Sequence, residues 1–386
     1  MDVHSKLPGY GASIFSVMSG LAVKHQAINL SQGFPEFNPP ISLQEQVTQA
    51  MQAGRNQYAP MPGIPELRGL LAERIRSWRG ITVHSDTEIT LVPGATAGLY
   101  VAITALVRPG DEVIIVEPGY DSYAPVVELN GGVVKRANLN IDAMLNGESP
   151  WPWGEVSSLL SDKTRLIIVN TPHNPLGCVM QTEDWNQLVD ILRNSQALVL
   201  SDEVYEHMVL DSKVHTSVLQ IPALSERAVA VSSFGKTFHA TGWKLGYLTA
   251  PAAISIELRK VFQFLAFAAN TPMQVAAYHF LLENPNYEAS VSQLMQSKRD
   301  YLLQQLSTTK IQWLPCEGAY FLVGEVGALT HKTDTEFAVD LTVEKGLATI
   351  PLTAFSKQPL PGTFLRLCFA KNNDTLDKAA QIINSL

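Results

Sequence analysis

Lys236 is the residue around which chemistry can be built. It lies in the stretch Ser232-Ser233-Phe234-Gly235-Lys236-Thr237-Phe238-His239-Ala240-Thr241-Gly242-Trp243-Lys244-Leu245-Gly246-Tyr247. That stretch follows Ala228-Val229-Ala230-Val231, an apolar run that reads as a buried strand. A buried strand therefore ends by delivering a lysine among small and hydroxyl residues. Desolvation lowers the pKa of an amine and leaves more of it free. A free amine attacks carbonyls and forms Schiff bases. Ser233 lies three residues before this lysine and Lys244 eight after it. A hydroxyl and a second cation flanking an amine suit an aldehyde that carries a phosphate.

Two plainer readings compete. Most lysines are solvated surface residues. Gly235-Lys236-Thr237 also resembles the tail of a phosphate-binding P-loop. That loop needs a glycine five residues before its second glycine. The position is Ala230, inside the apolar strand, so the P-loop reading is rejected.

The elements that must position Lys236 follow from the rest of the chain. At 386 residues it is long enough for a large core and two domains. An apolar fraction of 46% and a charged fraction of 17% are those of a globular protein. A net charge of −8 leaves no electrostatic footprint for nucleic acid and no polybasic patch for a membrane. The N-terminal residues contain no apolar signal region, and no apolar run approaches a membrane span. Cys178, Cys316 and Cys368 are far apart, without zinc spacing, which points to a reducing, cytoplasmic setting and no metal.

Residues 1–40 read as irregular apart from a short strand near Ile28, and 31–37 as a loop. A capping box (Ser42 as N-cap, Glu45 three residues later, Gly54 as the stop) predicts the next helix. Another helix is expected over 64–78, with Pro65 in its first turn. From Glu88 strands and helices alternate, with strands at 88–92, 112–116, 132–136, 166–169, 197–200, 228–231 and 245–249. These runs are continuously apolar, which implies parallel strands covered by helices on both faces. A helix over 254–269 closes this unit, and a long helix follows Pro285. The C-terminal part mixes strands and helices differently and predicts a smaller α+β unit, with the N-terminal segment as its partner. The expected division is 40–280 for the large domain, and 1–39 with 281–386 for the small one.

Ligands of open α/β sheets bind past the carboxyl ends of the strands. Past the first strand come Gly94-Ala95-Thr96, which open a helix whose exposed N–H groups suit a phosphate. Past others come Tyr120, an aromatic that could stack on a flat ring, then Asn174 between prolines, then Asp202 and Tyr205. Lys236 follows the last. Each alone is as well read as a cap, a core aromatic, a turn or a solvated acid. Five such groups at one edge describe a site for pyridoxal 5′-phosphate. That cofactor withdraws electrons only while its pyridine nitrogen stays protonated, which a carboxylate such as Asp202 would hold. Tyr205 and Asn174 would tune the ring 3-oxygen, and the lysine amine can carry a proton.

With these residues assembled, the chain resembles the fold-type-I, class I/II pyridoxal-phosphate aminotransferases from about Ala12 onward. Asn174-Pro175-Leu176-Gly177 resembles their Asn-Pro-x-Gly, Ser201-Asp202-Glu203-Val204-Tyr205 their Asp-Glu-x-Tyr, and Ser233-Phe234-Gly235-Lys236 their Ser-x-x-Lys. Leu365-Arg366-Leu367-Cys368-Phe369 resembles the strand bearing their substrate-carboxylate arginine. The resemblance implies a large domain with a mostly parallel seven-stranded sheet between helices, and a smaller α+β domain. It implies Lys236 as the Schiff-base lysine, Asp202 at the pyridine nitrogen, Tyr205 and Asn174 at the 3-oxygen, and Tyr120 over the ring. Ala95, Thr96, Ser233 and Lys244 would hold the phosphate. Arg366, Asn174 and the Gly33 backbone would bind the substrate carboxylate. Tyr58 would reach the phosphate of a neighbouring subunit, implying a homodimer with shared sites.

Residues 28–35 and 240–246 are most similar to the kynurenine/glutamine aminotransferases and the bacterial methionine aminotransferases. Tyr10, Phe15 and Phe34 are the aromatics expected near the side-chain pocket. The chain departs from the wider family at Gly94, where Ser is usual, at Lys244 for Arg, and at Thr171 for Asn. Ping-pong transamination between an amino acid and a 2-oxo acid is the first expectation. A cysteine-S-conjugate β-lyase uses the same scaffold, and a non-enzymatic cofactor-sensing module is a third reading, disfavoured by the lack of a basic arm.

Overall fold

The computed structural model describes residues 4–386, so the first three residues of the expected N-terminal segment lie outside it. Its centre is a seven-stranded sheet. Along the sheet the strands run 89–92, 246–249, 228–233, 198–202, 164–170, 112–117 and 133–138. Alternate side chains of each strand enter two different cores. Val113, Ile115, Leu166, Ile168, Val229 and Val231 pack on one face with Leu99 and Phe262. Ile114, Val116, Ile167, Val169, Ala228 and Ala230 pack on the other with Trp153 and Trp185. Burial on both faces is why these strands read as unbroken apolar runs.

Six of the seven strands point the same way, but Gly246–Thr249 runs antiparallel to both its neighbours. The expectation of parallel strands fails at that position for a topological reason. Only residues 234–245 join it to Ala228–Ser233, and they fold into two short helical turns, Phe234–Thr237 and Thr241–Trp243. No full crossover helix intervenes, so the chain doubles back. The reversal brings Lys236 and Lys244 to the same sheet edge.

Three other expectations are corrected. Residues 1–40 are not all irregular: Ile14–His25 is a helix, capped by the Ser13 hydroxyl accepting from Ser16 N–H. The helix expected from Ser42 starts at Ile41, with Pro40 at the N-cap and no side-chain cap. Proline already ends the extended segment there, so the hydroxyl of Ser42 falls inside the first turn. The helix expected over 254–269 is instead Ala252–Leu265. The chain breaks at Phe267, which adopts a positive φ of 63°, and restarts as Thr271–Glu283. Asn270 caps that second helix, accepting from Met273 N–H at 3.1 Å, with Pro272 in the first turn.

The C-terminal part forms a four-stranded antiparallel sheet in the order 350–351, 364–368, 321–325, 312–313. The N-terminal segment is stitched to it. Ile28–Asn29 pairs with Leu347–Ala348, and Leu30 both donates to Ala348 O and accepts from Cys368 N–H. This pairing carries Ser31-Gln32-Gly33 to the strand that bears Arg366. Among the described residues, no helix is long and apolar enough to cross a membrane.

Candidate active site

A cavity of about 520 Å³ opens where the strand ends meet the N-terminal segment. Gly33, Ala95, Thr96, Tyr120, Asn174 and Asp202 line it, as do Tyr205, Ser233, Lys236, Lys244 and Arg366. Of the residues expected from sequence, Tyr58 and Tyr10 lie elsewhere, and Tyr58 is the one of the two expected to touch the cofactor. It is 81% exposed and packs edge-on against Phe267, with ring centroids 5.2 Å apart. The break at 266–270 supports that loop, since Thr271 Oγ1 donates to Gln57 O at 2.7 Å. Phe15 and Phe34 line the cavity, but Tyr10 lines a neighbouring one and donates to Glu128 Oε1 at 3.0 Å.

Lys236 projects from a single helical turn directly after its strand. Its Nζ donates to Tyr320 Oη at 2.8 Å and to Gly33 O at 3.3 Å. Burial lowers its pKa to about 8, with Arg366 and Lys244 adding to the fall and Cys368 and Asp202 opposing it. The sequence-level expectation of a desolvated amine is met. Tyr320 was not foreseen: Ala319–Val323 reads as a strand, and a tyrosine in an apolar strand carries no special signal.

Asp202 ends its strand almost fully buried. Its Oδ2 accepts from Tyr123 Oη at 2.6 Å and its Oδ1 from Val204 N–H at 3.3 Å. Burial pushes its pKa up to about 6, while the Tyr123 hydrogen bond pulls the other way. A carboxylate poised like this gains from a cation in the cavity. The next residue, Glu203, belongs to a separate buried cluster. It accepts from Ser217 Oγ, Val218 N–H, His215 Nε2 and Arg79 Nη1. Burial opposes its charge, yet His215 and Arg79 hold it ionised, down to about 2. This cluster pins the strand end from behind and leaves Asp202 to the cavity.

Arg366 is completely buried and lies 4.0 Å over the Phe321 ring. Its Nη1 donates to Asn174 Oδ1 at 2.7 Å and its Nη2 to Ser31 O at 2.9 Å. Both partners are neutral, and its Nε has no partner among the described residues. Burial lowers its pKa to about 10. A buried cation with an orphaned N–H and no salt bridge among the described residues, Asp121 acting only from farther off, calls for an anionic ligand. Asn174 is itself placed by Asn170, whose Oδ1 accepts Asn174 N–H at 2.7 Å while its Nδ2 donates to Asp202 O at 2.8 Å. Asn170, the last residue of its strand, thus ties the Asp202 end of the cavity to the Arg366 end.

The third corner explains Gly94. This residue has φ +85°, and a Cβ there would come 3.1 Å from Lys244 Cε and 3.2 Å from its Nζ. A Ser here would be strained by the positive φ and would push the Lys244 ammonium aside. Helix Ala95–Leu106 starts at once, with no side-chain cap and no acid in its first turn. Lys244 Nζ, the helix N-terminus and Ser233 make an anion cradle. With a carboxylate and an amine at the two other stations, the donor set fits pyridoxal phosphate. Gly94→Ala is therefore expected to weaken cofactor binding about tenfold, from positive-φ strain of roughly 1–2 kcal/mol and a displaced Lys244. Titrating the cofactor into the apoprotein measures this, and unchanged affinity would place the phosphate elsewhere.

The family described as "Aminotransferase class I and II" matches residues 25–383. The chain belongs to the class I and II aminotransferases. Methionine aminotransferase of Escherichia coli is 48% identical over 382 residues, covering 99% of this chain and 98% of that protein. A crystal structure of an Escherichia coli protein with methionine aminotransferase function superposes with a TM-score of 0.95 at 47% identity, over the whole of both chains. Kynurenine–oxoglutarate transaminase of Dictyostelium discoideum is 33% identical, covering 96% of this chain and 93% of that protein. This aminotransferase is a fold-type-I, pyridoxal-phosphate-dependent enzyme that acts on amino acids and 2-oxo acids. The comparisons favour transamination over the β-lyase reading.

Proposed function

We propose that this aminotransferase prefers methionine, and accepts other large apolar or aromatic amino acids, glutamine or kynurenine, in a ping-pong exchange with a 2-oxo acid. The observation that carries this is the relative named for methionine, similar over nearly the whole chain. The cavity supports it. Its lining cations among the described residues are Lys236, Lys244 and Arg366; Phe15 and Phe321 pack against Arg366, and Phe34 and Gln32 also line the cavity. An acidic side chain would be desolvated against those rings with no lining cation beyond the three already assigned to the amine, the phosphate and the α-carboxylate.

The roles follow from the geometry. Pyridoxal phosphate supplies, when bound, the conjugated system that withdraws electrons from the substrate α-carbon. Lys244, Ser233 and the backbone of Ala95 and Thr96 bind its phosphate. Asp202, oriented by Tyr123, holds a proton at the pyridine nitrogen. Asn174 and Tyr205 serve the 3-oxygen, and Tyr120 bounds the ring. Arg366 and Asn174, with the Gly33 segment, bind the substrate carboxylate. Lys236 Nζ takes the α-proton and returns it one position along. The exposure of Tyr58 supports a homodimer in which it reaches the neighbouring site. The sheets support a large domain over 40–280 and a small one from 1–39 with 281–386. Three buried free cysteines support a reducing, cytoplasmic setting.

Steady-state rates across the amino acids, with one fixed 2-oxo acid, test the substrate claim. The expected kcat/KM for methionine exceeds that for aspartate by about 100-fold, the order set by an unpaired buried charge. A preference for aspartate would contradict it.

A further inference from the structure

We infer that Tyr320 is a positioning residue for proton transfer: its hydroxyl, together with the Gly33 carbonyl, forms the seat that receives the Lys236 ammonium after the amine has taken the substrate α-proton. The inference rests on Lys236 as the proton carrier proposed above.

The geometry is specific. Tyr320 Oη donates to Gly33 O at 2.6 Å, which turns its lone pairs toward Lys236 Nζ, 2.8 Å away. Gly33 O lies 3.3 Å from the same Nζ. Two oxygens therefore accept from one nitrogen in a part-buried corner of the cavity. Tyr320 is 0% exposed, with Tyr205 edge-on at 5.1 Å and Phe321 at 4.8 Å between ring centroids. Its backbone is held too. Tyr320 O accepts from Phe369 N–H, and Ala319 before it adopts a positive φ of 60°. An alanine in that region stores strain that other contacts must offset, a feature that gathers at functional sites. A Cβ on Gly33 would come 2.8 Å from the Phe321 ring, so the close approach depends on glycine.

The chemistry asks for such a seat. The substrate Cα–H bond breaks, its electron pair stays on the carbon skeleton conjugated to the cofactor, and the proton goes to the Nζ lone pair. The new ammonium forms in a buried place that disfavours charge and beside two cations, Arg366 and Lys244. Asp202 and Cys368 offset them in part, and Tyr205 faces the same nitrogen. Oxygens that accept from N⁺–H stabilise the ammonium more than the amine and so strengthen the base. The proton then leaves Nζ for the neighbouring cofactor carbon, which regenerates the amine.

Tyr320→Phe removes one acceptor and keeps the ring. The first readout needs no substrate: the rate at which added pyridoxal phosphate forms its visible band with the apoprotein, followed against pH. Lys236→Ala marks the signal that belongs to this lysine. The band forms from the free amine, so the rate rises through the amine pKa, near 8 in the parent. The expected inflection in Tyr320→Phe lies about one pH unit lower, the effect of one hydrogen bond to a charged group. The second readout is the half-reaction with methionine and α-deuterated methionine. The expected rate falls about tenfold with a larger deuterium isotope effect and little change in KM. An unmoved inflection would overturn the inference even if the functional reading stands. A shifted inflection with an unchanged isotope effect would overturn the proton-transfer role. Failure of methionine with the parent enzyme strikes the substrate reading, and the apoprotein titration still decides Tyr320.

Discussion

Lys236→Ala is expected to lower turnover at least ~10⁴-fold, the upper range for a lost acid–base group, because the roles proposed above make the same side chain both nucleophile and proton carrier. Nothing else in the cavity can take either part. Tyr205 and Tyr320 are phenols held above the ordinary range by burial, and Lys244 is committed to the anion cradle. Cofactor binding should persist, since the phosphate end and Asp202 are untouched. As apoproteins, the variant should be at least as resistant to heat as the parent, because a desolvated cation has been removed. A small primary amine added to the variant should restore part of the proton transfer. Turnover within tenfold of the parent would show that another group does this chemistry.

Arg366→Gln is expected to lower kcat/KM for methionine about 100- to 1000-fold, most of it in KM. Two charge-assisted hydrogen bonds to a carboxylate are lost, each of about 1.5–2 kcal/mol. Glutamine fits the space and still reaches neutral oxygens such as Ser31 O, so the fold should hold. Lysine should rescue little, since a point charge cannot replace the planar fork between Asn174 and Ser31. Binding of 3-(methylthio)propylamine, which lacks the carboxylate, separates the roles. It should bind parent and variant alike. A large loss for this amine as well would mean that Arg366 shapes the pocket rather than binds the carboxylate.

Much of this site was legible because its residues occupy one kind of place. Asp202, Asn174, Ala95, Thr96 and Lys236 each follow an apolar run, and strand ends of an open sheet converge. Arg366 came through resemblance. Its own signal was a lone arginine in an apolar strand, which must be paired with something. Tyr123, Asn170 and Tyr320 were not legible. They act by pointing at Asp202, Asn174 and Lys236, and no local pattern encodes which neighbour a buried hydroxyl or amide meets.

The fold misses have equally local causes. Ile14, Phe15, Met18, Leu21 and Ala22 recur at helical spacing behind Ser13, a signal present but masked by the surrounding glycines. Phe264 to Ala269 runs apolar across a break that only Asn270-Thr271-Pro272 betrays. Strand direction at Gly246–Thr249 was set by the short connection, not by hydrophobicity.

The most direct test is the visible absorption of the purified protein, before and after methionine is added without an acceptor. The account predicts a yellow band of the lysine-bound cofactor that in Lys236→Ala gives way to the absorption of the uncondensed aldehyde, and that in the parent bleaches with methionine and returns on addition of a 2-oxo acid. A yellow protein that no amino acid bleaches would contradict transamination, and a protein that added pyridoxal phosphate cannot colour would contradict the site itself.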